Sequence, residues 1–173
     1  MKTGEIAAGT LPSTDAVAQK IEVTLAMLRD AETQRVAMGM PRPGEWDAMQ
    51  CDSAYRSGYN AFERGDYAQA IDDFAPLLCA CPHHPDYAMA LALSAHRRGE
   101  AKAALSLFLA AALMDETAPG PMYRVGKCLI ELGHFNEANQ AMRETVQRCA
   151  GQPQYAAMME AARRSMAMTG SSG

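Results

Sequence analysis

One cluster in the sequence has the spacing of metal ligands, and it contains Cys79, Cys81, His83 and His84. Thiolate sulfur and imidazole nitrogen are the ligands that structural zinc prefers, usually in tetrahedral sets of four. No second pair of Cys or His follows nearby, and Pro82 occupies a position that a repeat pattern described below reserves for proline. We therefore expect these residues to have a packing role and to hold no metal ion.

Motifs for catalysis are otherwise missing from the sequence. It contains no Gly-rich phosphate loop, no nucleophile motif and no evident pair of carboxylates for acid–base chemistry. We interpret His96 as a polar contact in a binding surface and not as a general base. The sequence thus predicts a protein that is not an enzyme, with no catalytic residue and no cofactor.

A strict period organises the middle of the chain, where Gly65, Gly99 and Gly133 recur every 34 residues. The same interval relates two further sets, Ala70, Ala104 and Ala138, and Phe74, Phe108 and Met142. This period, with its Ala-x3-Phe element and following Pro, is the signature of tetratricopeptide (TPR) repeats. Gly ends the first helix of each unit in a left-handed conformation, and Ala lets the two helices pack at about 8–10 Å.

The predicted fold class is all-α. Three tandem TPR helix-turn-helix repeats form a right-handed superhelix, with an N-terminal amphipathic helix and a C-terminal capping helix that covers the last repeat. The predicted boundaries are a disordered segment over 1–14, the N-terminal helix and linker over 15–45, a TPR domain over 46–168 with repeats at about 51–84, 85–118 and 119–152 and a cap at about 153–168, and a tail over 169–173. The repeat helices are predicted at about 46–64, 67–80, 85–98, 101–114, 119–132 and 135–149.

The N-terminal helix has an apolar stripe formed by Val17, Ile21, Leu25 and Leu28, at helical spacing. A linker over 39–44 with two prolines separates it from the repeats, because no helix crosses such a cluster intact. The stripe needs a partner surface. It either folds back on the repeats of its own chain or pairs with a second copy.

Composition narrows the function classes. The formal net charge of −4 argues against nucleic-acid binding, which needs a basic face. No apolar run approaches the roughly 20 residues of a membrane span, and no apolar segment after Lys2 resembles a secretory signal, so we expect a cytosolic protein. Five cysteines without framework spacing favour free thiols in a reducing compartment. The thirteen methionines suit either an adaptable binding surface or ordinary core packing.

The first helices of TPR units line a concave groove, to which positions five, nine and twelve of each repeat contribute. Here these are Tyr55, Tyr59 and Phe62, then Met89, Leu93 and His96, then Tyr123, Lys127 and Ile130. Seven of the nine are aromatic or aliphatic, although some of them can instead serve inter-repeat contacts. Some TPR domains bind acidic C-termini through a clamp of Lys, Arg and Asn side chains on this surface, and here only Arg97 and Lys127 could contribute to one. Because the groove is mostly apolar, we expect its ligand to be an extended peptide with spaced apolar side chains.

Two stretches carry residue patterns beyond the 34-residue period. The third-repeat region carries Ala111-Ala112-Leu113-Met114-Asp115, Pro119-Gly120-Pro121, Cys128-Leu129, Gly133 and Glu137-Ala138. The first repeat carries Ala54-Tyr55, Phe62, Gly65-Asp66-Tyr67, Ala70, Phe74 and Leu78-Cys79. Together these stretches resemble the class II type III secretion chaperones of the LcrH/SycD type. The resemblance covers about 50–168, whereas residues 1–50, with their Pro-Arg-Pro linker, depart from the family pattern.

This resemblance implies a chaperone of the bacterial cytoplasm without ATPase activity. Such proteins hold the two hydrophobic translocator proteins of the secretion needle through an extended segment with spaced Pro and Leu. Tyr55, Tyr59, Phe62 and Tyr67 match the family's aromatic groove positions, and the family's N-terminal helix implies a homodimer. The alternative interpretation is a TPR scaffold or co-chaperone that assembles other secretion or regulatory components.

Overall fold

The computed structural model describes residue 30 and residues 32–170. The chain divides into two compact units, Met1–Met40 and Pro41–Gly173. Of the first unit, residues 30 and 32–37 are helical, and a turn with Gly39 at φ +65° follows them. The predicted apolar stripe of the N-terminal helix, the segment 1–14 and most of the tail lie outside the described residues.

The described residues of the second unit form seven α-helices joined by short turns, with no strand among them. They are α1 (Ala48–Glu63), α2 (Tyr67–Ala80), α3 (Pro85–Arg97), α4 (Ala101–Met114), α5 (Pro119–Glu131), α6 (Phe135–Cys149) and α7 (Ala156–Gly170). The observed bounds agree with the predicted bounds of the repeat helices to within two residues. No helix in residues 32–170 has both the length and the apolar character that crossing a membrane requires.

Two helix starts differ from the prediction. Helix α1 begins at Ala48 and not at Trp46, because Asp47 caps it: its carboxylate accepts from the Gln50 amide at 2.8 Å. The Gln50 side chain in turn accepts from the Asp47 amide at 2.9 Å, which completes a capping box. The capping helix α7 is preceded by a separate 3₁₀ turn, Pro153–Tyr155. Its α-helical part therefore starts three residues later than predicted.

The repeat positions behave as their spacing predicts. Gly65, Gly99 and Gly133 adopt φ values of +77°, +85° and +80°, which other residues rarely reach. Ala70, Ala104 and Ala138 are completely buried, as are the large side chains four residues later, Phe74, Phe108 and Met142, to within 1%. Each helix packs against the next one along the chain, and α7 packs against α6. The buried apolar residues form two clusters, one within the first repeat and one shared by the second and third repeats.

Polar groups fix the junction between the second and third repeats. The Nη1 atom of Arg148 donates to the carbonyl oxygens of Ala112, Asp115 and Ala118 at 3.2–3.3 Å. Its Nε atom donates to the Glu144 carboxylate at 3.0 Å. These carbonyls lie at and beyond the end of α4, where no further helical turn supplies a donor. One cation therefore satisfies three backbone acceptors at once.

The same junction contains a capping carboxylate. One oxygen of Asp115 accepts from the hydroxyl of Thr117 at 2.7 Å and from the amides of Thr117 and Ala118 at 3.0 and 3.1 Å. These hydrogen bonds lower the pKa of the Asp115 carboxyl, and the nearby Arg148 cation lowers it further. The turn that leads into α5 is held by an ionised side chain.

Candidate functional site

An apolar cavity of about 180 Å³, called the aromatic cavity below, opens between the first and second repeats. Its walls come from helices α1, α2 and α3, and four of the lining side chains are aromatic. The lining residues are Tyr55, Tyr59, Phe62, Phe74, Asp86, Met89, Ala90 and Leu93. Seven of these eight present apolar or aromatic groups, so the cavity suits an aliphatic side chain better than a charged one.

Ring contacts hold the aromatic wall in place. The Tyr55 ring lies 5.8 Å from Phe74 and 5.5 Å from Tyr87, measured between centroids. Phe62 meets Tyr67 edge-on at 5.3 Å. Pairs in these tilted and edge geometries are favourable beyond the area that they bury. Tyr59 differs from its neighbours because 51% of it remains exposed, which makes it accessible to a ligand.

A glycine in α1 determines how closely one wall can approach. A Cβ atom at Gly58 would lie only 2.6 Å from Cε1 of Phe74, closer than real Cβ contacts occur. Only glycine therefore allows the Phe74 ring to press against the backbone of α1 at this depth. Gly58 and Phe74 act together to shape the cavity as well as the core.

The cavity contains a single carboxylate among neutral groups. Burial, followed by the charges of Asp86 and Tyr59, raises the pKa of the Tyr55 phenol. Burial likewise raises the pKa of Tyr87. Both phenols are therefore neutral at physiological pH and can donate hydrogen bonds. Asp86, which is exposed in the first turn of α3, supplies the negative charge at this site.

The structure brings five of the predicted groove residues together at this cavity: Tyr55, Tyr59, Phe62, Met89 and Leu93. Tyr67 stays next to it through its contact with Phe62. Sequence reasoning missed Phe74, Asp86 and Ala90. Asp86 and Ala90 could have been found from the repeat pattern. They occupy positions two and six of the second repeat, which lie one helical turn before and directly after the groove position of Met89. Phe74, one of the periodic aromatic positions, is 1% exposed and contributes to both the core and the cavity wall.

The remaining predicted residues do not line the cavity. His96 donates through Nε2 to Glu131 Oε2 at 2.8 Å, linking α3 to α5, and its ring meets Phe108 edge-on at 6.2 Å. Arg97 is exposed at the end of α3. The other three, Tyr123, Lys127 and Ile130, are half-buried on α5. Their membership of one continuous groove stays a prediction.

The Cys and His cluster is dispersed in the structure. The Cys81 sulfur lies 3.2 Å from the sulfur of Cys51, a residue outside the cluster. His84 stacks on Tyr87, with centroids 3.8 Å apart and planes 10° from parallel. Among the residues that the structure describes, no group of three or more His, Cys, Asp or Glu is placed to hold a metal ion.

A second, larger cavity of about 450 Å³ lies between α4, α5 and α6. Apolar side chains such as Leu109, Met122 and Leu129 contribute to its walls. Half of its lining is polar or charged, including Glu144, which is already bound to Arg148. None of the predicted groove residues lines it. The aromatic cavity is therefore the better candidate for binding an extended apolar peptide.

Comparisons with known proteins agree with this architecture. The matching family model is described as anaphase-promoting complex, cyclosome, subunit 3, and it covers residues 63–145, just under half of the chain. Comparison of the sequence with curated proteins finds no match.

Three solved structures illustrate the likeness. PcrH of Pseudomonas aeruginosa, in complex with the chaperone binding region of PopD, has a TM-score of 0.71 at 21% identity, covering 76% of this chain and 98% of PcrH. The chaperone SycD of Yersinia enterocolitica, in complex with a peptide of the translocator YopD, gives 0.69 at 17%, covering 71% and 94%. A type III secretion complex from Aeromonas hydrophila gives 0.70 at 18%, covering 73% and 84%.

Identities of 17–21% establish a common fold and nothing finer. They confirm the predicted fold class, and they confirm at the level of fold the resemblance that the sequence indicates. The chain has the tandem TPR fold of the type III secretion chaperones SycD and PcrH.

Proposed function

We propose that this protein is a chaperone that holds hydrophobic translocator proteins of a type III secretion system before export. It binds an extended segment containing Pro and Leu in the concave face of its repeats. The observation that supports this most is the aromatic cavity, where Tyr55, Tyr59 and Phe62 face Met89 and Leu93 across the first two repeats. Chaperones of the same fold have been solved with translocator segments bound.

The mechanism requires no covalent chemistry. Translocators carry apolar segments that aggregate in water, and masking part of that surface keeps them in solution. Each Leu or Val side chain buried in the cavity contributes roughly 1.5–3 kcal/mol before ordering costs. Proline in the bound segment lowers those costs because its extended conformation is already restricted. The proposed site of action is the bacterial cytoplasm, without ATP hydrolysis or other catalysis. Homodimerisation through the N-terminal helix is a further part of the proposal.

Co-expression with a hydrophobic translocator tests this function. The chain should keep the translocator in the soluble fraction, and Leu93→Glu should abolish that effect by placing a charge in the apolar cavity. Leu113→Glu is the matched control, because Leu113 is 74% exposed on α4 and lies outside the cavity.

Two results would contradict the proposal. One is a translocator that stays insoluble whether or not the chain is present. The other is a Leu93→Glu variant that solubilises the translocator as well as Leu113→Glu does. Binding of a folded secretion component that tolerates Leu93→Glu would instead favour the alternative function, a scaffold that uses another surface.

A further inference from the structure

Two cysteines that are far apart in sequence meet at one end of the first repeat. Cys51 lies in the first turn of α1, and Cys81 immediately follows the last residue of α2. Their sulfur atoms are 3.2 Å apart. A disulfide bond is about 2.05 Å long, so a closure of roughly 1.1 Å would join them.

This juxtaposition is specific to the first repeat. By the 34-residue period, Cys51 corresponds to Pro85 and Pro119 in the later repeats. Cys81 corresponds to Asp115 and Cys149. Only the first repeat therefore carries cysteine at both positions. Where the second repeat uses a capping carboxylate, the first repeat directs a thiol towards another thiol.

The surroundings favour a neutral disulfide over a charged thiolate pair. Cys51 is only 7% exposed, and the partly buried rings of Trp46, Tyr55 and Tyr87 pack on its cluster. Burial, assisted by the Cys81 thiol, raises the pKa of the Cys51 thiol to about 11. A disulfide carries no charge, so it leaves this apolar cluster intact.

Cys81 is the more reachable of the two thiols. It is half-buried and directly follows the last residue of α2, with φ −128° and ψ 69°. Its amide donates to the Leu77 carbonyl oxygen at 2.9 Å, so the backbone is held and the sulfur would close the gap by rotation of the side chain. Together these features make Cys81 the entry point for an oxidant and make Cys51 the resolving partner.

We propose that Cys51 and Cys81 are a redox-modification site that closes to an intramolecular disulfide when a low-molecular-weight disulfide such as oxidised glutathione accumulates. The Cys81 thiolate attacks one glutathione sulfur, forms a mixed disulfide and releases one reduced glutathione. The Cys51 thiol, which burial keeps protonated, then loses its proton as its sulfur attacks the Cys81 sulfur and displaces the second glutathione, so this is the slower step. Both protein sulfurs are oxidised, one oxidised glutathione is reduced to two thiols, and those thiols take up the two protons.

Closing this bond encloses α1 and α2 in one covalent loop. That loop carries Tyr55, Tyr59 and Phe62 of the aromatic cavity. Restricting the unfolded first repeat stabilises the folded one, and it should raise the thermal midpoint by roughly 5–10 °C. A reducing compartment keeps the pair open, so the bond reports a loss of reducing conditions. This site does not depend on the proposed function.

The test uses the full chain with all five cysteines, incubated with defined ratios of oxidised to reduced glutathione. Free thiols are then blocked with N-ethylmaleimide, and the digest is analysed by mass spectrometry. We expect a peptide pair joined between Cys51 and Cys81 and a raised thermal midpoint that dithiothreitol reverses. Cys81→Ser should abolish both results. Cys79→Ser is the matched control, since Cys79 is also half-buried and lies two residues away.

Other outcomes would overturn the proposal. They are a bond between Cys79 and Cys81, stable glutathione adducts without ring closure, bonds only between chains, or no bond under oxidising conditions. The thermal midpoint of Cys81→Ser in reducing buffer shows that it folds. If Cys51→Ser does not fold, the half-buried Cys81→Ser still decides the question.

Discussion

The first and third repeats solve the same packing problem with different side chains. In the first, a Cβ atom at Gly58 would lie 2.6 Å from the rigid ring of Phe74. In the third, a Cβ atom at Gly126 would lie 2.7 Å from the terminal methyl of Met142 and 3.1 Å from its sulfur. A ring cannot bend away, whereas a methionine chain can. The first repeat therefore packs this helix crossing with a rigid ring, and the third packs it with a side chain that can adjust.

The junctions between repeats also differ, because the one between the first and second repeats is aromatic and the one between the second and third is polar. The first repeat meets the second through tilted aromatic rings, with the centroid of Tyr55 5.5 Å from that of Tyr87. The third repeat is tied back to the second by the polar contacts of Arg148. A rigid aromatic wall around a cavity suits recognition because it needs little ordering when a ligand binds. The candidate site accordingly lies between the first and second repeats and not in the third.

Removing the Arg148 cation disrupts the polar junction between the second and third repeats and should have the largest effect on stability. Arg148→Met places the side chain found at Met114, the equivalent position of the second repeat. It leaves the carbonyls of Ala112, Asp115 and Ala118 without their donor, so the free energy of unfolding should fall by about 2–3 kcal/mol. Urea denaturation of the variant and the natural chain measures this difference in the free energy of unfolding. A variant as stable as the natural chain would show that water replaces Arg148 at no cost.

Filling the glycine positions sharpens the comparison directly. Gly58→Ala should lower the free energy of unfolding by about 1–2 kcal/mol, because the Phe74 ring must shift from the cavity wall. Gly126→Ala is the matched control and should stay within about 0.5 kcal/mol, since Met142 can move and alanine favours the helix. Urea denaturation of both variants provides the measurement. Equal costs would remove the distinction between a rigid and an adaptable repeat.

The smallest expected effect concerns acid. The pKa of Asp115 is lowered in the folded chain, so its stabilising contribution is present above the unfolded pKa of about 3.9. That contribution is lost as the pH falls from about 5 through the lower folded pKa. Asp115→Asn keeps an acceptor for Thr117 but cannot titrate, so its thermal midpoint should fall less between pH 6 and pH 3.

The exposed Asp72→Asn is the control for this acid effect. It should retain the acid sensitivity of the natural chain. An Asp115→Asn variant with the same sensitivity as Asp72→Asn would contradict the assignment of this titration to the junction before α5.

Sequence periodicity was sufficient for the fold because TPR packing depends on small residues at fixed intervals. Gly65 and Ala70 identify a turn and a close helix crossing without knowledge of any other contact. The cavity was only partly predictable. Tyr55 and Leu93 follow from their repeat positions, but Phe74 reaches the cavity because Gly58 lets its ring pass close to α1. The close approach of Gly58 and Phe74 depends on how α1 and α2 cross, so it is visible only in the three-dimensional structure.

The thiol pair was beyond sequence reasoning for a similar reason. Cys79, Cys81, His83 and His84 are close in sequence and have the spacing of metal ligands, but the repeat pattern predicted a packing role for them. The structure instead directs Cys81 to Cys51, because the start of α1 and the end of α2 lie side by side. An antiparallel helix pair brings the start of its first helix next to the end of its second, so Cys81 meets a residue that is 30 positions away in sequence.

The central claim is that the aromatic cavity binds an extended apolar segment, and calorimetric titration tests it most directly. The ligands are short Pro-x-Leu-x-x-Pro peptides from candidate translocators. The variants are Tyr59→Ala and Leu93→Glu, and their matched controls are Phe135→Ala and Leu113→Glu, which change exposed residues outside the cavity. We predict micromolar binding that both cavity variants weaken by roughly tenfold or more and that both controls preserve. Absence of binding, or binding indifferent to Tyr59→Ala and Leu93→Glu, would contradict the claim.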